Sequence, residues 1–149
     1  MERRRWRVFL DTSALIVGIV SATGAAREVL RLCEASVVEL MVSRQVLIEA
    51  DRNLSEKLPA FVSDFRDWMS LLSPVLIEDS SKKEVAHAVQ IIHANDAPIL
   101  AAAMNAEADY LITWNTRHFQ KPSVMKAVRF KIVTPGEFLQ DFRQSLHDS

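Results

Sequence analysis

Five short, almost wholly apolar runs, separated by longer stretches of helical periodicity, limit what this chain can fold into. The runs are Val8-Phe9-Leu10, Val37 to Val42, Val75-Leu76-Ile77, Tyr110 to Thr113 and Phe130 to Val133. Strands without alternation are buried on both faces, and strands alternating with helices pair in parallel. The intervening segments carry helix signals. Ala25 to Ala35 presents Val29, Leu32 and Cys33 at helical spacing after Thr23-Gly24, and Ser43 is an N-cap for a helix to about Lys57. Phe61, Phe65, Trp68, Met69 and Leu72 repeat with helical period until Pro74. Further helices are predicted from Ser81 through Ile92, from Pro98 through Met104 and from Glu137 to Leu146. The expected class is α/β: a three-layer α/β/α sandwich around a five-stranded parallel sheet.

The chain has 149 residues, which fits a single domain over 1–149 and a core large enough to fold without disulfides or a structural metal. Cys33 is the only cysteine, so no intramolecular disulfide forms and a reducing compartment is expected. The longest aliphatic stretch, Ala14 to Val20, is far short of the ~20 residues of a membrane-spanning helix. Asp11 stands where the apolar region of a signal peptide would begin. These features predict a soluble cytoplasmic protein with no membrane segment.

Charge is neutral overall and uneven locally. The net charge is −1, yet Arg3, Arg4, Arg5 and Arg7 crowd the start. Between Tyr110 and Gly136 no acid occurs, while Arg117, Lys121, Lys126, Arg129 and Lys131 do. Such a local basic surface suits either nucleic-acid binding or a solvated face.

In parallel sheets the ligand site lies outside the carboxyl ends of the strands. Asp11 follows the first run directly, in Leu10-Asp11-Thr12-Ser13, where it can serve a site or cap a helix. Asp96 precedes Ala97-Pro98-Ile99-Leu100, at a helix start on the side of the apolar stripe, so it caps or points into a polar site. Glu49 lies at the edge of the stripe formed by Val46, Leu47, Ala50 and Leu54. Asn115 closes the fourth run in Ile112-Thr113-Trp114-Asn115. Each residue alone has a bland reading as a cap, a solvated glutamate or an Asx turn. Together they offer hard oxygen donors without a Cys or paired-His motif, which suits Mg²⁺ or Mn²⁺ rather than Zn²⁺.

Read in order, these segments resemble a PIN domain. The resemblance rests on Leu10-Asp11-Thr12-Ser13, Glu49, Asp96-Ala97-Pro98-Ile99-Leu100-Ala101-Ala102-Ala103, Ala108 to Phe119 and Val133-Thr134-Pro135-Gly136-Glu137-Phe138-Leu139. It spans nearly the whole chain, and its third and fourth segments are the most specific. It implies a metal-dependent ribonuclease, with many small members being VapC-like toxins of type II toxin–antitoxin pairs. Carried over residue by residue, it implies Asp11, Glu49 and Asp96 as Mg²⁺ or Mn²⁺ ligands and catalytic acids. Asn115 stands at a fourth catalytic position where many members have Asp, so one firm metal site is implied. Thr12 and Ser13 at the first-strand turn, with Arg117, Lys121 and the N-terminal arginines, are the implied RNA contacts. RNA, a cognate antitoxin and a second copy in a homodimer are the implied partners.

The rival reading is a non-catalytic PIN-like module that binds RNA or protein. A haloacid dehalogenase-type phosphatase needs Asp where Ser13 stands; a response-regulator receiver needs Lys where Thr134-Pro135 stands. No Gly-x-Ser-x-Gly elbow supports a serine hydrolase. His87 and His93, six apart, do not share a helix face closely, and His118 belongs to the surface or the site mouth. Cys33 reads as a buried small hydrophobe. Phe61, Phe65 and Trp68 read as core or as a partner groove, and Trp114 as strand-end packing or a base-stacking ring.

Overall fold

The computed structural model describes residues 4–148. In chain order the elements are β1 (Arg7–Leu10), α1 (Thr12–Val20), α2 (Ala25–Glu34), β2 (Glu39–Ser43), α3 (Arg44–Lys57), a 3₁₀ turn (Pro59–Phe61) and α4 (Val62–Leu72). They continue with β3 (Val75–Ile77), α5 (Lys82–Val89), α6 (Ala97–Asn105), β4 (Tyr110–Ile112), α7 (Thr116–Phe119), α8 (Pro122–Ala127), β5 (Lys131–Val133) and α9 (Pro135–His147). The five strands form one parallel sheet in the order β3-β2-β1-β4-β5. The α/β expectation therefore holds. Val8, Phe9, Leu10, Leu111 and Ile112 are fully buried, as central strands covered on both faces must be.

The order puts β1 in the middle. The chain leaves it first toward β2 and β3, then returns to its other side with β4 and β5, so a topological switch lies between β1 and β4. Crevices at such points, at the carboxyl edge, are where open α/β sheets bind ligands. Register completes the placement: Leu10 pairs with Ile112, so Asp11 and Thr113 leave the sheet side by side.

One helix that periodicity did not predict holds the first of these residues. α1 is apolar on nearly all sides, so no stripe marks it. Asp11 caps it, accepting from the Ala14 N–H at 2.9 Å. At its far end the Arg27 guanidinium donates to the Gly18 and Ile19 carbonyls at 2.7 and 2.8 Å, satisfying acceptors a helix end leaves open. A Cβ at Gly18 would fall 2.8 Å from Leu30 Cδ1, so glycine is what lets α1 lie against α2. Among the described residues no single helix is long and apolar enough to cross a membrane.

Sheet polarity divides the basic residues. Arg7 opens β1 at the amino edge, and Arg4, Arg5 and Arg7 pair there with Asp109 or Glu39. Lys131 opens β5 at the same edge, 3.5 Å from Asp141. Arg129 lines an amino-edge cavity with Glu107 and Asp109. The N-terminal arginines expected to follow RNA thus lie a strand length from the carboxyl edge and are neutralised locally; Arg3 lies outside the described residues. Arg117 and Lys121 follow β4, on the carboxyl side.

Candidate active site

A cavity of ≈ 410 Å³ opens at the carboxyl edge, lined among others by Asp11, Thr12, Ser13, Glu49, Asp96 and Asn115. The backbone at four separate points of the chain supplies these groups. Asp11 enters from the end of β1, Glu49 from the second turn of α3, Asp96 from the start of α6 and Asn115 from the start of α7.

Asp11 is the most enclosed of the acids, at 3% exposure. Its Oδ1 accepts from Ser13 Oγ at 2.7 Å as well as from the α1 backbone, and its Oδ2 accepts from Thr113 Oγ1. Burial pushes its pKa above the usual carboxylate range, and the nearby Asp96 charge adds to the rise. The hydrogen bonds from Thr113, Ala14 and Ser13 oppose it but do not cancel it.

Glu49 is half-buried, with both oxygens occupied: Thr12 Oγ1 donates to Oε2 at 2.8 Å and Gln45 Nε2 to Oε1 at 3.0 Å. Thr12 and Ser13, implied as RNA contacts, thus spend their hydroxyl hydrogens on Glu49 and Asp11. Asp96 occupies the N-cap position of α6 without capping it. Its Oδ1 accepts from Asn115 Nδ2 at 3.3 Å, and its Oδ2 lies 2.6 Å from His118 Nδ1. Of the two roles open to Asp96 from sequence, the polar site wins over the cap. Among the described residues no Lys or Arg pairs with Asp11, Glu49 or Asp96.

One participant escaped the sequence reading, and a second, His118, stands there between the surface and the site mouth. Thr113, fully buried, donates to Asp11 and accepts from the Asn115 N–H at 2.8 Å, bridging both strand ends. Its position after an apolar run is the same signal that marked Asp11. His118 is half-buried against Asp96 and stacks on His93, with ring centroids 5.1 Å apart and 11° between planes. Lys121 lines the cleft beside these rings, whereas Arg117 is exposed on α7. Trp114, 43% exposed, sits beside the cavity with its backbone N–H on Ser13 Oγ at 3.0 Å. Phe65 is buried and Trp68 half-buried under the Arg27 guanidinium, 5.1 Å from its ring, so this group is largely core.

Comparison with known proteins agrees with the fold. The PIN domain family model matches residues 7–117, and the chain belongs to the PIN domain family. That span runs from the start of β1 past Asp11, Glu49, Asp96 and Asn115. Among solved structures, VapBC2 from Rickettsia felis, crystallised with a DNA fragment from its promoter, is similar over 85% of this chain and 96% of that one, at 20% identity and TM-score 0.62. PAE2754 from Pyrobaculum aerophilum is similar over 91% and 94%, at 17% identity and TM-score 0.61. The chain has a VapC-like PIN fold. No curated protein matches it.

Proposed function

We propose that this protein is a Mg²⁺- or Mn²⁺-dependent endoribonuclease, the toxin of a type II pair, with Asp11, Glu49 and Asp96 as its metal ligands. The observation that carries the reading is the set of three carboxylates sharing one cavity at the sheet's switch point with, among the described residues, no Lys or Arg paired to them. The donors fit such an ion: every candidate ligand atom is oxygen, and each carboxylate keeps lone pairs beyond the hydrogen bonds it accepts. A divalent ion held there supplies charge stabilisation to a phosphodiester under attack and lowers the pKa of a water.

The chain's own part is positioning. Capping, Ser13 and Thr113 hold both Asp11 oxygens, Thr12 sets Glu49, and the Asn115 amide holds Asp96 Oδ1 without adding charge. Arg117 and Lys121 supply cations for the RNA backbone on the same side of the sheet, and Trp114 offers a face for a base. A cognate antitoxin, a homodimeric state and a cytoplasmic site of action belong to the same proposal.

The test is cleavage of a labelled RNA with Mn²⁺ or with chelator. Wild type cleaves only with metal; Asp11→Asn and Asp96→Asn lose activity by orders of magnitude. Induced wild type arrests a bacterial host and Asp96→Asn does not. Metal-independent cleavage refutes the proposal. RNA binding without cleavage, unchanged by either substitution, establishes the non-catalytic reading, which the neutral Asn115 favours.

A further inference from the structure

The carboxylates do not form the tightest ligand cluster in this molecule. Among the described residues, the one group of three His or acidic side chains whose ligand atoms all lie within 4.8 Å of one another is His93, Asp96 and His118. Asp11 and Glu49 lie outside it. Two imidazoles and a carboxylate form a borderline donor set that Zn²⁺ accepts with a water in the fourth position, and one that Mg²⁺ does not favour.

We propose that His93, Asp96 and His118 form a Zn²⁺ site beside the three-carboxylate centre. Three features of the geometry support it. Ligand atoms of all three residues lie within 4.8 Å of one another, and a turn of the exposed His93 ring out of its stack on His118 aims its nitrogen at a point the other two share. His118 and Asp96 already meet at 2.6 Å through Nδ1 and Oδ2. Two ligands of a tetrahedral ion bound at ~2.0–2.1 Å stand roughly 3.3 Å apart, so the pair opens by less than about 1 Å as the ion replaces the hydrogen between them. That hydrogen leaves to solvent as a proton. His93 is exposed, and its Nδ1 accepts only the Asn95 N–H at 3.1 Å, a bond that water replaces. The cleft beside the rings, lined by Val89, Gln90, Lys121 and Ser123, gives an ion its entry.

Asp96 belongs to both sites, so an ion held by the histidines withdraws a donor from Asp11 and Glu49. That antagonism rests on the carboxylate reading above; the Zn²⁺ site does not.

The experiment is calorimetric titration of the metal-free full-length protein with ZnCl₂, with Co²⁺ absorption as a second readout of imidazole ligation. His93→Gln and His118→Asn are the variants; asparagine keeps an amide donor near the position of Nδ1, and circular dichroism checks folding. Wild type should bind one Zn²⁺ and give intense visible Co²⁺ bands. Each variant should lose at least tenfold in Zn²⁺ affinity and most of the Co²⁺ intensity, while His93→Gln keeps the wild-type response to Mn²⁺. No Zn²⁺ binding, or equal affinity in wild type and both variants, overturns the site. His93-dependent Zn²⁺ binding in a protein that ignores Mn²⁺ supports it and refutes the carboxylate centre alone.

Discussion

Replacing Thr113 by Val tests the site's framework with almost no change of shape. Thr113 is fully buried and makes two bonds through one hydroxyl, donating to Asp11 Oδ2 and accepting from the Asn115 N–H. Among the described residues no buried side-chain nitrogen or oxygen lacks a partner, so valine would introduce a defect where none exists. A hydrogen bond to a charged group contributes about 1.5–3 kcal/mol, and an orphaned N–H costs about 1–3 kcal/mol when fully buried. Asn115 is only partly buried and water takes some of that second loss, which leaves a destabilisation of about 2–4 kcal/mol. At ~2–4 °C per kcal/mol for a chain of this size, the metal-free melting temperature falls by roughly 4–16 °C. The sign with pH follows from Asp11. Its folded pKa is raised, so its contribution to stability is complete below the unfolded value of about 3.9 and is lost as pH rises through the folded value. The Thr113 bond opposes that rise, so its removal widens the gap between variant and wild type from pH 4 to pH 7. Thr113→Ser keeps the hydroxyl and loses only one methyl, ~1 kcal/mol. Melting by circular dichroism across that pH range is the assay. A valine variant within about 2 °C of wild type, or a serine variant as unstable as the valine one, would show that the Thr113 hydroxyl does not hold the site.

Metal-free Asp11→Asn should melt at or above wild type at pH 7, with the advantage vanishing toward pH 4, because it removes a charge that burial disfavours while asparagine still caps α1; added Mn²⁺ should stabilise wild type and not the variant. Arg117→Ala with Lys121→Ala should weaken RNA binding and flatten its log–log salt dependence by ~0.7 per lost phosphate contact, whereas Arg4→Ala with Arg5→Ala, at the opposite edge and already ion-paired, should leave affinity nearly unchanged; a filter-binding salt series decides both. Burial pushes the Cys33 thiol up to about 12, so a thiol reagent at pH 8 should label the folded protein negligibly and the urea-unfolded protein fully.

Local chemistry made much of this protein legible in advance. Apolar runs of strand length, helical stripes and caps such as Ser43 and Ser81 act within a few residues, and they marked the sheet and most of its helices before any fold was known. Asp11 and Asn115 could be named because a parallel sheet sends its strand ends to one edge, and Glu49 and Asp96, on or just before helices, because the order of the segments resembles a known family. α1 stayed hidden because a helix whose residues are apolar on nearly every side has no periodic stripe. Thr113 stayed hidden because its role depends on the β1–β4 register, a contact across 102 positions of chain. Tertiary structure alone decided which basic residues share the acids' side, since a continuous basic stretch from Arg117 to Lys131 runs from one edge of the sheet to the other. It also decided the fate of His93 and His118. Twenty-five positions apart, they stack only because the turns before α6 and after β4 converge on Asp96. Sequence reports what a residue prefers from its neighbours in the chain, whereas strand order and register determine which distant side chains must share charge and solvent.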